Sequence, residues 1–184
     1  MPGVQIQRCQ SGQVAIDSFG AIDLQHESLR LSNAGRHEEA KAKAQSSLET
    51  RLKIKGPKSL DVGVALQRLA EVEGDLGNHQ EALELAKRAM MVREGLRGEQ
   101  LDAAVSRDEA ARNLEALGRM HEAGEFRKAG PRGADGVICG GSTCASFASP
   151  GASLKTCVRC RAIWYCSPAC QRTDWPRHKK FCKK

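Results

Sequence analysis

Residues 157–182 read CVRCRAIWYCSPACQRTDWPRHKKFC, and this stretch decides how the last quarter of the chain folds. It holds five cysteines and one histidine. Two more cysteines precede it, giving the series Cys139-x4-Cys144-x12-Cys157-x2-Cys160-x5-Cys166-x3-Cys170-x7-His178-x3-Cys182. Seven of the eight cysteines thus fall within 44 residues, while Cys9 stands apart as an incidental thiol. So dense a segment is either a disulfide framework or a metal site. The first residues lack a basic stretch followed by an apolar run, so no secretory signal is expected. The compartment expected is the cytoplasm or nucleus, where thiols stay reduced and metal is favoured.

The ligand types and their number indicate the metal. Zn²⁺ takes four Cys or His ligands tetrahedrally in structural sites, whereas catalytic sites keep one position open. Eight ligands fill two such sites, so two Zn²⁺ ions are the expected cofactor. Cys157 to Cys160 forms a turn that presents two thiolates to one ion. Cys166 and Cys170, and likewise His178 and Cys182, are four apart and are expected on one helix face each. Ser167-Pro168 reads as a helix start, with serine as N-cap and proline at the first position. Asp174 is expected to cap a second short helix with Pro176 in its first turn, and Ala162–Tyr165 is β-prone. Gly140 and Gly141 are expected to lend freedom to the longer Cys139–Cys144 loop, and the Ser-, Pro- and Gly-containing run 145–154 to be a mobile loop.

The pattern strongly resembles the MYND zinc finger. Tyr165-Cys166-Ser167, Cys170-Gln171, Asp174-Trp175 and His178-Lys179 all fit it, although most members begin with Cys-x2-Cys rather than Cys-x4-Cys. The resemblance implies cross-bracing, with Cys139, Cys144, Cys166 and Cys170 on one ion and Cys157, Cys160, His178 and Cys182 on the other. It also implies recognition of short proline-containing peptides on protein partners, in a groove that involves Gln171 and Trp175. Some members contribute a polar residue after the third ligand, where this chain has Val158, so specificity is expected to differ. Trp164 is expected to pack against the zinc knuckle.

The first 130 residues have a different character. Alanine, leucine and glutamate dominate, a helical composition. Ala34-Gly35-Arg36-His37-Glu38-Glu39-Ala40 recurs as Leu76-Gly77-Asn78-His79-Gln80-Glu81-Ala82 and as Leu117-Gly118-Arg119-Met120-His121-Glu122-Ala123, the glycines being 42 and 41 residues apart. Gly56 and Gly98 repeat the 42-residue spacing. Each copy reads as a helix ended by a glycine able to turn left-handed, a polar turn, and a second helix whose alanine permits close approach. Gly56-Pro57 ends the second helix of the first copy. This resembles the tetratricopeptide repeat, in the longer variety of kinesin light chains. The resemblance implies two full helical hairpins and a shortened third over residues 15–128. The last helix, about Met120 to Lys128, is too short to cap the stack well. His37, His79 and His121 are expected at the surface. Residues 129–136, rich in glycine, read as a linker, and residues 137–184 as the zinc finger. The fold class expected is mostly α, a short helical-hairpin solenoid followed by a small cross-braced two-zinc domain.

Charge separates the halves. Residues 131–184 hold ten Lys/Arg against two Asp/Glu, and the preceding residues are nearly balanced. Seven thiolates on two Zn²⁺ would reduce the tail to about +5. Arg159, Arg161, Arg172, Arg177, Lys179, Lys180, Lys183 and Lys184 leave nucleic-acid binding, in gene regulation, as the alternative to a protein-interaction adaptor. A cross-braced RING-type role in ubiquitin transfer is a third reading, which the histidine in seventh place and Gln171/Trp175 disfavour. No nucleophile elbow, phosphate loop or spare Cys/His pair appears, so no enzyme activity is expected. No apolar run reaches membrane-spanning length.

Overall fold

The structure is a computed structural model and describes residues 3–96, 100–129, 137–141, 144 and 153–182, with the side chains of residues 3–11, 100 and 101 left aside. Cys9, Gly98, most of the 129–136 linker, most of the 145–154 loop, Lys183 and Lys184 therefore lie outside the described residues or side chains. Six helices come first: α1 (Gly3–Asn33), α2 (His37–Lys55), α3 (Leu60–Asp75), α4 (His79–Glu94), α5 (Gln100–Ala116) and α6 (Met120–Lys128). They form three antiparallel hairpins stacked in sequence order, each helix packing on its neighbours in the chain. The first helix starts at Gly3, well before the expected residue 15.

Each hairpin turn is built the same way. Gly35, Gly77 and Gly118 take φ of 75°, 83° and 78°. At each, the glycine N–H bonds to the carbonyl three residues back, on Ser32, Gly74 or Glu115. The next N–H bonds five residues back, on Leu31, Glu73 or Leu114. This paired bonding satisfies helix-end carbonyls only when the residue between turns left-handed, where a Cβ is penalised.

Small residues set the stacking. Ala40, Ala82 and Ala123 are wholly buried, and so are Ala86, Ala89, Ala110 and Ala111. The core of α2 to α6 joins several of these alanines to Leu48, Leu66, Leu69, Leu83, Leu85 and Leu114. Alanine facing alanine lets backbones approach, and each fully buried leucine adds about 1.5–3 kcal/mol.

Polar contacts also repeat. The Arg51 guanidinium donates to the Asp61 carbonyl at 3.0 Å, and Arg93, 42 residues on, donates to the Asp102 carbonyl at 3.1 Å. The turn histidines are only partly the surface residues expected. His121 is exposed, but His37 lies half-buried 3.6 Å from Asp75, and His79 Nδ1 is 3.0 Å from Asn113 Oδ1. Both occupy the first position of a second helix, where they reach the end of the next hairpin's first helix.

Glu109, on α5, accepts from Asn113 Nδ2 at 3.0 Å. Burial, reinforced by the charges of Glu71 and Asp108 and opposed by Arg112, lifts its carboxyl from 4.5 to about 7. A raised acid pKa costs stability once the unfolded chain ionises. Stability therefore declines as pH climbs from about 4.5 to about 7 and levels beyond. Replacing Glu109 by Gln is expected to raise the thermal midpoint near pH 8 and leave it unchanged near pH 4; thermal unfolding followed by circular dichroism at the two pH values measures both.

Candidate metal centre

The last described segment contains two short strands, β1 (Lys155–Thr156) and β2 (Trp164–Tyr165), and one helix, α7 (Pro168–His178). The strands pair antiparallel, Lys155 opposite Tyr165 and Thr156 opposite Trp164. Strands this short cannot hold themselves together. Their connection is the turn Cys157–Cys160. Its geometry is closed by two backbone bonds, Arg161 N–H to the Cys157 carbonyl at 2.8 Å and Cys157 N–H to the Ile163 carbonyl at 2.9 Å. Arg161 adopts φ of 55° to turn the chain back, a left-handed conformation uncommon for a residue with a Cβ.

The helix begins as its sequence indicates. Ser167 caps it, its hydroxyl accepting from Cys170 N–H at 3.2 Å, and Pro168 follows in the first turn. Three expectations for this region are corrected. Asp174 caps no second helix, because α7 runs unbroken through Pro176. Asp174 is committed elsewhere: its carboxylate is buried and accepts from Tyr165 OH at 2.7 Å and from Arg177 Nε at 2.8 Å. Cys166 does not share a helix face with Cys170, since it lies before the N-cap. Cys182 lies beyond the helix end, carried there by a further turn in which its N–H bonds to the His178 carbonyl at 2.9 Å. Cys170, Asp174 and His178 do share one face, four residues apart, while Gln171 and Trp175 share another.

Eight side chains come together as two groups of four. Cys139, Cys144, Cys166 and Cys170 form one group; Cys157, Cys160, His178 and Cys182 form the other. Within each, the sulfur and nitrogen atoms lie within 4.8 Å of one another. The groups alternate along the chain, which is cross-bracing. Cys166 Sγ is 3.5 Å from Cys144 Sγ and 3.4 Å from Cys170 Sγ, and His178 Nε2 is 3.5 Å from Cys160 Sγ. Such spacings are too long for disulfides and suit sulfurs sharing a tetrahedral ion with bonds of about 2.3 Å. Backbone N–H groups already point at the sulfurs: Cys166 N–H approaches Cys139 Sγ at 3.4 Å. At Cys157 burial works against ionisation, but the N–H groups of Cys160 and Arg159 and the nearby His178 outweigh it and lower the thiol pKa. Two four-coordinate Zn²⁺ ions fit these donor sets and leave no ligand over.

Gly140 and Gly141 are needed for closeness rather than for freedom. A Cβ on Gly140 would lie 2.6 Å from Ile163 Cδ1, and one on Gly141 would lie 2.9 Å from Cys170 Cβ. The backbone there runs directly under the strand, with Gly140 N–H donating to the Trp164 carbonyl at 2.8 Å. The cluster around the ligands has five buried members, three of them cysteines and the others Ile163 and Tyr165. Trp164 is buried in β2 beside them, whereas Trp175 is 38% and Val158 89% exposed. Trp175 meets the His178 ring edge-on, with centroids 6.0 Å apart.

Asp108, Arg112, Glu115 and Arg127, which no sequence motif singles out, join the finger to the last hairpin together with Asp174 and Arg177. Arg127 donates to Asp108 at 2.7 Å and to the Ala162 carbonyl at 2.6 Å, and pairs with Glu115 at 2.8 Å. Arg112 donates to the Gly140 carbonyl at 2.8 Å and pairs with Asp108 at 2.7 Å. Arg177 pairs with Glu115 at 2.7 Å and with Asp174 at 2.8 Å. Three arginines thus face three carboxylates. Burial would raise the Glu115 carboxyl, but His178 and the two arginines hold it down at about 2. The repeat offered the signal: where the second hairpin has Leu83 and Ala86, the third has Gly124 and Arg127 at the same register. A Cβ on Gly124 would meet Ala162 Cα at 3.1 Å. The short α6 is therefore capped by the zinc finger itself.

With so little apolar burial, the finger should depend on its metals, which contribute roughly 10–16 kcal/mol apparent at a structural site. Native mass spectrometry is expected to find two zinc ions per chain. A strong chelator is expected to abolish the signals of β1, β2 and α7 in NMR spectra while α2 and α3 persist.

Comparison with known protein families matches residues 139–182 to the MYND finger and residues 28–95 to the tetratricopeptide repeat. Among curated proteins, the chain is similar to SET domain and MYND-type zinc finger protein 6 of Schizosaccharomyces pombe, 42% identical over 41 residues. It is similar to SET domain-containing protein 14 of Caenorhabditis elegans, 56% identical over 32 residues, and to histone-lysine N-methyltransferase ASHR1 of Arabidopsis thaliana, 42% identical over 31. These alignments cover 22%, 17% and 17% of this chain but only 8%, 8% and 6% of those proteins. They lie in the finger and carry no information on catalysis here. No described helix is long and apolar enough to cross a membrane. Both matched domains are typical of protein-interaction modules: the chain carries a MYND finger at residues 139–182 behind tetratricopeptide repeats at residues 28–95.

Proposed function

We propose that the chain is a non-catalytic adaptor of the cytoplasm or nucleus, whose finger holds short proline-containing peptides of partner proteins against Trp175 and Gln171. The observation that carries this reading is the indole of Trp175. It is the finger's exposed aromatic side chain among the described residues, 38% open to solvent on α7 beside the buried ligand His178. Its T-shaped contact with His178, centroids 6.0 Å apart, holds the ring in place. Proline-rich segments are preformed extended helices that stack on such aromatic surfaces with small loss of entropy. Gln171, one turn earlier and partly exposed, supplies a donor and an acceptor for the peptide backbone. Val158 adds apolar surface where other fingers offer a polar contact. Closed four-ligand sites support a structural rather than catalytic role for zinc, since no ligand position is left for a reacting water. The helical stack then serves as a scaffold.

Trp175→Ala tests the groove. Binding of the full chain to an array of proline-containing peptides is expected to fall at least about tenfold in the variant, a loss of about 1.4 kcal/mol, with two zinc ions retained by mass spectrometry. Unchanged peptide binding would overturn the groove. Peptide-independent binding to a nucleic acid duplex, equal in both proteins and steeply salt-dependent, would move the function to the exposed Arg159, Arg161, Arg172, Lys179 and Lys180.

A further inference from the structure

We propose that Glu115, a residue of the helical stack, is the positioning residue for the zinc ligand His178, so that the second zinc site is completed from outside the finger and shares its stability with the last hairpin. His178 is fully buried. Its Nε2 points to Cys160 Sγ at 3.5 Å, among the other ligands. Its Nδ1 has no hydrogen-bond partner among the described residues and faces Glu115 Oε2 at 3.8 Å. An imidazole that ligates zinc through Nε2 keeps its proton on Nδ1, and that proton needs an acceptor to fix the ring and the tautomer. The position is closed to bulk solvent, since Glu115 is as fully buried as His178. The carboxylate is the group aimed there, and a modest contraction closes the gap to a hydrogen bond.

Glu115 is itself held from both sides of the junction. Arg127 of α6 and Arg177 of α7 clamp its two oxygens at 2.8 and 2.7 Å. Arg177 in turn holds Asp174, which receives the Tyr165 hydroxyl. The chain of contacts therefore runs from α6 through Glu115 to a zinc ligand and on to β2. The repeat gives independent support. Glu115 stands at the register of Gly74 in the second hairpin, Arg127 at that of Ala86 and Gly124 at that of Leu83. The second hairpin carries small or apolar residues at these three positions; the third carries the two charges and the gap that admit the finger. Metal affinity and hairpin stability are then coupled, and the coupling is reciprocal.

The test uses the full chain with Co²⁺ and Zn²⁺ as probes. Wild type, Glu115→Gln, Glu115→Ala and Asp108→Asn are compared by chelator competition. The Co²⁺ absorption bands distinguish the histidine-containing site from the all-cysteine site. Asp108 serves as control because it pairs with Arg112 and Arg127 without facing His178. Glu115→Ala is expected to weaken metal at the histidine-containing site about 10- to 100-fold, with Glu115→Gln intermediate and the all-cysteine site unchanged. Asp108→Asn is expected to lower the thermal midpoint and, through the shared junction, to weaken both sites by a similar small factor, without singling out the histidine-containing site. Unaltered affinity in both Glu115 variants would overturn the proposal, as would an equal loss at both sites in all three variants, which marks general loosening. If the Glu115 variants do not fold, hydrogen exchange on the wild type decides. Zinc removal is expected to unprotect α6 and the end of α5 while α2 and α3 keep their protection; unaltered protection in α6 would overturn the coupling.

Discussion

Metal ligation is the constraint on which the carboxy-terminal part of this molecule depends. Its strands are two residues long and its buried cluster is mostly sulfur. Neither backbone pairing nor apolar burial on that scale offsets the conformational entropy of ordering roughly 40 residues, at about 1–2 kcal/mol each. Zinc ligation gathers distant parts of the chain at two points, and everything else is arranged to make ligation possible. The turn at Cys157–Cys160, the serine cap before Cys170, the bare glycines under Ile163 and Cys170 and the extra turn after His178 each bring one donor to its place. Because the two sites alternate along the chain, neither can be completed without folding the loops that serve the other.

The helical stack meets this module through charge rather than through apolar contact. Three arginines and three carboxylates balance at the junction, and both partners contribute. Buried ion pairs are poor sources of net stability, since desolvation cancels much of the attraction, but breaking one costs about 3–5 kcal/mol because a charge is stranded. Such a junction specifies a single docking arrangement. It also explains why a hairpin with a nine-residue second helix can end the stack. The surface that α6 leaves uncovered is taken by Ala162 and Gly140, whose carbonyls accept from Arg127 and Arg112. The finger is the cap, and the stack supplies the finger with a wall.

This arrangement bears on the adaptor reading. Trp175 is partly exposed on α7, while the neighbouring positions Asp174 and His178 of the same helix are buried against the junction. On that reading one helix would present a surface to partners and at the same time anchor the finger to the helical stack. An adaptor so built holds its peptide site in fixed relation to the repeats, rather than on a freely moving tether.

Much of this was legible in the residues themselves. The period of the recurring glycine turn showed stacked hairpins, because a helix end that needs a left-handed residue tolerates few alternatives to glycine. The spacing of eight Cys and His residues showed two closed zinc sites, because ligand chemistry and tetrahedral number leave little freedom. Ser167-Pro168 marked a helix start for reasons local to those residues. The errors arose where a residue's role depends on distant partners. Asp174 reads locally as a cap, yet Tyr165 and Arg177 recruit it into the interior. His37 and His79 read as turn residues, yet they reach Asp75 and Asn113 in the next hairpin. Gly140 and Gly141 read as hinges, yet what requires them is Ile163 and Cys170 packed against the backbone. Nothing within several residues of Arg112, Glu115 and Arg127 signals that they are buried. Short-range chemistry, the ligand set and the helix punctuation, was decided by the sequence alone. Which charges are buried and which surface closes the stack was decided only in three dimensions, because a buried charge is tolerated only where a partner of opposite sign, here up to 62 residues away, arrives to meet it.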